Sequence, residues 1–310
     1  MSKNSEKKEI VRLPVIPQQR EKISYSEWQC FKTVCQYRWY LDYSLNKRSK
    51  DESLALDFGT TLHSVIGAMY CVKKEDRISI DDALLMFDCL LDASLEKLTN
   101  LKQLPYGPWQ QDEAGNYIQS SAPEAVRKSG KDLIIAAQDV DIFKNSDVLK
   151  IEWEIADSLD RDDSSIGFKG FVDIIFLIKD KRGKNVIVIG DIKTCKWGWP
   201  FKKFEDPNIL AQVRLYKHFF CKQFKIDPKK VRTAYLLFKK EPRKSDKELI
   251  QFTQVPSSER DISRTISSMQ EDITKMRSGE YEKNRENCVK PWGQCPYFGT
   301  IDCPAPESVE

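Results

Sequence analysis

Gly170-Phe171-Val172-Asp173-Ile174-Ile175-Phe176 and, past a turn, Ile187-Val188-Ile189-Gly190-Asp191-Ile192-Lys193-Thr194 are the stretches on which the reading of this chain turns. Both read as strands: long apolar runs rich in β-branched residues, separated by the turn signal Lys181-Arg182-Gly183-Lys184. A strand that is apolar on both faces has no ordinary place for charge, because a buried carboxylate costs several kcal/mol unless it is paired or bound to metal. Asp173 lies inside such a run. In the second stretch, side chains alternate, so Ile187, Ile189, Asp191 and Lys193 share one face and an acid and a base project together from the strand end. Two carboxylates on adjacent strands can hold a divalent ion, Mg²⁺ or Mn²⁺, while leaving positions for water and phosphate oxygens. A lysine beside that ion can orient or deprotonate water and offset charge developing on a phosphate. A lone Asp-x-Lys is more simply a structural ion pair capping a strand. With Asp173 upstream on the same hairpin, metal-assisted chemistry is the better reading.

Working outward, Ile151, Trp153 and Ile155 alternate with Glu152 and Glu154, which is strand spacing, and a turn through 160–165 leads into a strand over 167–178. The third strand covers 185–193. A helix is predicted over 207–224, strands over 231–238 and 249–255, and a helix over 258–279 whose stripe of Ile262, Ile266, Met269, Ile273 and Met276 is packing. Three strands, a helix and a strand imply an α/β fold with a mixed central sheet flanked by helices. Upstream, a helix over 54–71 carries Gly59, Leu62, His63, Ile66, Gly67 and Tyr70 at helical spacing. Residues 79–145 read as a helical insertion broken at 105–117, and 24–43 as an aromatic-rich helix beginning near Ser26. Residues 1–22, polar and containing Pro14 and Pro17, are expected to be a flexible leader to one domain over 23–310 with a cysteine-rich tail at 287–304. No internal repeat is present.

With 310 residues, 40% of them hydrophobic and 31% charged, the chain suits a globular fold and not wholesale disorder. No apolar run approaches the roughly 20 residues a membrane helix needs. The charged start Met1 to Lys8 lacks the apolar core of a secretory signal. Nine cysteines, an odd count, read as reduced thiols in a cytoplasm, with metal or cluster ligation open to any that group. Net charge is +3, yet ten Lys or Arg stand against three acids between Lys222 and Lys247. That density can follow a phosphate backbone, and taken by itself it is more simply a solvated face.

Gln212 and Tyr216 lie one turn apart on the 207–224 helix and face the same way, an amide and a phenol able to bond phosphate or Lys193. Taken together, these residues resemble the PD-(D/E)xK nuclease superfamily, and within it the RecB-like branch: the RecB and AddB nuclease domains, the CRISPR-associated adaptation nucleases and their phage relatives. Its Gly-x-x-x-His motif matches Gly59 to His63, and its Gly-x-x-Asp strand matches Gly170 to Asp173. Asp191-Ile192-Lys193 fits (Asp/Glu)-x-Lys, and Gln212 to Tyr216 fits Gln-x-x-x-Tyr. The four motifs occur in the family's order. The resemblance implies His63, Asp173, Asp191 and the Ile192 carbonyl as metal ligands, and Lys193, Gln212 and Tyr216 as further catalytic residues, with Glu154 supporting the site.

The same resemblance implies a metal-dependent DNA exonuclease acting on single-stranded or end-opened DNA in repair, recombination or phage DNA metabolism, with a helicase or recombination partner. Many members of the branch bind a 4Fe–4S cluster through one upstream and three downstream cysteines, here matched by Cys35 and by Cys288, Cys295 and Cys303. Gln36 stands where the family has proline, and gaps of six and seven residues are wider than its usual spacing, so four-thiolate zinc is the competitor and Cys30 the alternative to Cys35. Cys71, Cys89, Cys195 and Cys221 read as incidental thiols. The reading from a different class is a non-catalytic DNA-binding or scaffold subunit. It predicts loss of Asp173, Asp191 or Lys193, and all three are present.

Overall fold

The computed structural model describes residues 9–12, 22–48, 53–100, 109–111, 117–119, 122–158, 167–242, 247–290 and 293–306. The turn expected at 160–165 and most of the break at 105–117 lie outside them. The chain divides into two compact units, one of residues 51–155 and 171–262, the other of 1–50, 156–170 and 263–310.

In the first unit, α1 (Leu54–Met69) starts at Ser53, whose hydroxyl caps the Leu56 N–H. It buries Phe58, Leu62, Val65, Ile66 and Met69 at three-to-four spacing. Next come α2 (Ile80–Asn100) and α3 (Ala122–Ala137), the observed form of the helical insertion, with the short strands Trp109–Gln111 and Tyr117–Gln119 paired between them. The sheet follows: β1 (Asp147–Ser158), β2 (Gly167–Lys179) and β3 (Asn185–Cys195). The β2–β3 turn is held by Asp180, whose carboxylate accepts from the Arg182 and Lys184 N–H groups. Helix α4 (Pro207–Phe224) is capped by Asp206 and begins with proline at its first position. Strands β4 (Val231–Lys239) and β5 (Ile250–Val255) complete the unit.

The strand order is β1-β2-β3-β4-β5. β3 is antiparallel to β2 and parallel to β4, and β4 is antiparallel to β5, so the sheet is mixed as the alternation of periods implied. The two faces are covered by different helices. Ile174, Phe176, Val188, Ile192, Ala234, Leu236 and Phe238 pack in one cluster with the apolar faces of α1, α2 and α3. Tyr235 and Leu237, on the other face, pack with Leu210 and Val213 of α4. Gly190 is needed where the first layer closes down, because a Cβ there would stand 2.9 Å from Leu236 and 3.0 Å from Ile174.

In the second unit, residues 9–12, placed by sequence in the leader, form a strand antiparallel to Glu280–Lys283. Lys22–Ser24 pairs in parallel with residues 167–169. The aromatic segment is not one continuous helix. Wide turns close at Cys30 and Tyr40, and Cys35, with extended backbone, interrupts the helix and caps its second half by accepting from the Arg38 N–H. Trp28, Phe31, Trp39, Tyr40 and Leu41 are buried, and Tyr40 stacks on Tyr281.

Candidate active site

The regular β2–β3 ladder ends at the pair Ile174↔Gly190. Asp173 and Asp191 are therefore the next residues on the two strands, facing each other where backbone pairing stops. One Asp173 oxygen takes over the pairing and accepts from the Ile192 N–H at 2.6 Å. Asp191 is 0% exposed. Lys193 Nζ lies 2.7 Å from one of its carboxylate oxygens, an ion pair, and among the described residues no other donor reaches either oxygen.

In the parallel ladder Asp191 lies opposite Tyr235 and Lys193 opposite Leu237, so both project on the sheet face that α4 covers. Gln212 and Tyr216 ride on that helix, and the Gln212 amide donates to the Tyr216 hydroxyl at 2.9 Å. The face they were expected to share is real; their bond is to each other. His63 arrives from α1, and its Nδ1 lies 3.7 Å from the other Asp173 oxygen.

A carboxylate that sequence did not single out completes the cluster. Ligand atoms of His63, Glu152 and Asp173 all fall within 4.8 Å of one another. The residue is Glu152, not Glu154, and the reason is a backbone irregularity. Glu152 has φ of 45°, in the left-handed region, where a non-glycine residue is uncommon. Ile151 packs against α1 while Trp153 packs on Phe220 and Phe224 of α4, so the strand changes face between them. Strict alternation, the basis of the sequence reading, fails at this one residue.

Electrostatics follow from crowding. Burial and the neighbouring Asp191 charge push the Asp173 carboxyl well above the ordinary range. Burial and Asp191 also raise Glu152. Burial opposes charge on Lys193, but Asp191 and Asp173 outweigh it and lift the ammonium above its usual value. His63 is held below the normal histidine range, by burial first and then by Lys193. An ordinary ion pair would balance here; this cluster carries more acid than its one lysine neutralises. A buried carboxylate paired to that lysine, beside a His–Glu–Asp group, fits a hard divalent cation.

A sequence profile of the PD-(D/E)XK nuclease superfamily matches residues 22–299. The chain belongs to the PD-(D/E)XK nuclease superfamily. Among solved structures, this PD-(D/E)XK chain is similar to a "Putative exonuclease" from Eubacterium rectale, at 12% identity with a TM-score of 0.50. The similarity covers 89% of this chain and 92% of that one. It is a likeness of fold. No curated protein matches the sequence. Nuclease chemistry and a divalent-metal requirement follow from membership of the superfamily.

The four cysteines singled out by resemblance lie in the other unit. Cys35, Cys288, Cys295 and Cys303 line one small cavity with Tyr37, Arg38 and Tyr297; Cys30 is not among its lining residues. The Cys35 sulfur accepts from the Arg38 and Asn284 N–H groups, at 3.5 and 3.3 Å, and Cys303 lies 3.4 Å from the Arg285 guanidinium. Cys30 instead faces Asp42, and burial with that charge pushes its thiol up to about 12. No helix among the described residues is long and apolar enough to cross a membrane.

Proposed function

We propose that this PD-(D/E)XK chain is a divalent-metal-dependent deoxyribonuclease of the RecB-like kind, an exonuclease on single-stranded or end-opened DNA serving repair, recombination or phage DNA metabolism. The observation that carries the catalytic reading is an excess of acid at one strand end: Asp191, fully buried, and Asp173 converge with His63 and Glu152 around the single ammonium of Lys193. Such an excess of buried carboxylate is costly to keep unless a further cation occupies it. Asp173, Asp191, His63 and the Ile192 carbonyl are the proposed ligands of Mg²⁺ or Mn²⁺, with Glu152 as a further carboxylate. When bound, the ion supplies Lewis acidity toward a phosphate oxygen and a water of lowered pKa.

The protein's own part is positional. The Ile192 N–H fixes the Asp173 carboxylate. Lys193, with its affinity for protons raised, enters as a cation and offsets charge on the scissile phosphate. The Gln212–Tyr216 pair, already bonded and on the same sheet face, presents a preset polar edge to phosphate or to Lys193. The end-directed mode rests on the RecB-like motif order and on the name borne by the Eubacterium rectale protein.

The test is a single-stranded oligonucleotide labelled in turn at each end, incubated with Mg²⁺ or Mn²⁺, with chelator and Lys193→Ala as controls. Metal-dependent digestion absent from the variant is expected, and the ladder from each label gives polarity. Digestion by Lys193→Ala at the parent rate would sink the site assignment. DNA binding without cleavage in either metal would favour the scaffold reading.

For the cysteine cavity the proposal is a 4Fe–4S cluster on Cys35, Cys288, Cys295 and Cys303. Tetrahedral zinc at about 2.3 Å from each sulfur needs sulfurs only ~3.8 Å apart. The four thiols line one cavity, which supports a shared four-cysteine site, and the choice of the cluster over zinc rests on the RecB-like resemblance. Protein purified without oxygen should be brown and carry iron and sulfide, both lost in Cys303→Ser. Colourless protein with one zinc per chain moves the assignment to zinc.

A further inference from the structure

After Lys193 and Thr194 the chain reads Cys195-Lys196-Trp197-Gly198-Trp199-Pro200-Phe201-Lys202-Lys203-Phe204, with aromatic and basic residues interleaved. The loop is anchored. The Cys195 and Lys196 carbonyls accept from the Lys240 and Glu241 N–H groups at 2.9 and 2.8 Å. Gly198, at φ 93°, turns tightly over the Lys239 side chain, where a Cβ would come within 3.1 Å. Trp199 is the inward anchor, 4.8 Å from the Tyr235 ring and 5.5 Å from Phe204.

Two other rings of the loop point out: Trp197 is 50% exposed and Phe201 75%. On β2, Phe171 is 53% exposed and stands two residues before Asp173, on the same strand face by alternation. Because β2 and β3 are antiparallel, the start of β2 and the chain leaving β3 lie at one end of the sheet, the end that carries Asp173, Asp191 and Lys193. Trp197 is four residues past Lys193, within about 13 Å along extended chain. Charge accompanies the rings. Lys202 is exposed, as is Lys196, which lies 4.9 Å over the Trp197 ring and 3.4 Å from the Glu241 carboxylate, and Lys203 sits 4.2 Å over the Trp199 ring, its ammonium depressed by burial and by Lys193 among its neighbours.

Bases inside a duplex are stacked on each other and cannot lie on a protein ring, whereas unpaired bases can, and stacking of that kind tolerates any sequence. Exposed rings flanked by lysines are a poor protein-contact core, because lysine is depleted there. We propose that Phe171, Trp197 and Phe201 form a stacking platform for unpaired bases of single-stranded DNA, with Lys196, Lys202 and Lys203 on its phosphates, delivering the strand to the carboxylate cluster. The identity of the ligand rests on the nuclease reading above. Part of the basic run at 222–247 lies away from this surface. Its residues Lys229, Lys230 and Arg232 lie at the opposite end of β4, where Val231 pairs with Ile187, and Lys239 is buried.

The experiment measures binding in chelator, where no cleavage competes, of an oligothymidylate and of a same-length oligomer with abasic positions, by anisotropy and tryptophan fluorescence. The parent should bind the base-bearing strand at least tenfold more tightly, with quenching. The double variant Trp197→Ala/Phe201→Ala should lose that preference and the quenching, bind the abasic strand as before, and melt within a few degrees of the parent. Equal affinity of parent and variant for oligothymidylate overturns the platform. So does an equal loss for both oligomers, which would mean charge alone. Unchanged DNA binding with an altered oligomeric state also overturns it and marks a protein contact. The nuclease reading is judged separately, by cleavage in Mg²⁺ against Lys193→Ala. A parent that prefers bases yet cuts nothing leaves the platform standing and removes the nuclease.

Discussion

In the unit of residues 1–50, 156–170 and 263–310, three carboxylates are buried, and each is provided for. Asp272 accepts from the Trp28 indole at 2.8 Å and from Lys32 at 3.1 Å. Asp42 takes the Tyr297 hydroxyl at 2.7 Å and Arg38 at 3.2 Å, and Glu27 takes the Trp39 indole at 3.3 Å. In the unit of residues 51–155 and 171–262, Asp191 is buried more completely than any of these, and it shares one lysine, Lys193 at 2.7 Å, with a second carboxylate, Asp173. The first set shows that this chain can satisfy a buried acid with ordinary neighbours. Crowding Asp191 and an Asp173 whose proton affinity is raised around one lysine is therefore informative, and it fits the proposed place where a cation and a phosphate meet.

The largest test of that contrast is Asp191→Asn. Removing a charge from this crowd should lower cleavage by about 10²–10³-fold. In chelator the same variant relieves repulsion with Asp173 but takes a partner from Lys193, so its stability should change by no more than about 1 kcal/mol. Labelled-oligonucleotide cleavage and urea unfolding in chelator read the two effects; a loss as large as about 3 kcal/mol would remove the contrast.

Asp272→Ala is the mirror image. It strands the Trp28 indole and leaves Lys32 without its carboxylate, so a loss of about 2–3 kcal/mol is expected, with cleavage per folded molecule unchanged. If activity collapses while the protein remains folded, the two sets of carboxylates are not separable by role.

The smallest effect sharpens the assignment of Glu152. Glycine tolerates φ of 45° at no steric cost, so Glu152→Gly should gain about 1 kcal/mol in chelator. It should also raise the Mg²⁺ needed for half-maximal cleavage by about tenfold. Glu154→Gln should move neither quantity. Reversal of the two results would return the supporting role to Glu154.

Much of this was legible in advance. The switch from a period of about four to a period of two near residue 150, the Lys181–Lys184 turn and the Pro207 helix start are local signals, and the observed strands and helix follow them. Asp173 and Asp191 announced themselves because charge inside an apolar strand is conspicuous in one dimension. Glu152 did not, since nothing in Ile151-Glu152-Trp153 signals a left-handed residue; tertiary packing of Ile151 and Trp153 against different helices imposes it. The break at Cys35 was hidden in the same way, within aromatics that keep helical spacing on both sides.

By itself, then, the sequence determined most elements of the sheet and its covering helices and the identity of the charged residues at the strand ends, because each depends on neighbours close along the chain. Only the tertiary structure decided that the β2–β3 ladder stops one residue short of Asp173 and Asp191, that both carboxylates crowd around Lys193, and that Glu152 turns toward His63. It also divided the basic run between the two ends of β4 and set the exposed Trp197 and Phe201 just past Lys193. Those outcomes depend on register and burial, which arise from contacts between residues far apart in the chain and leave no periodic trace within it.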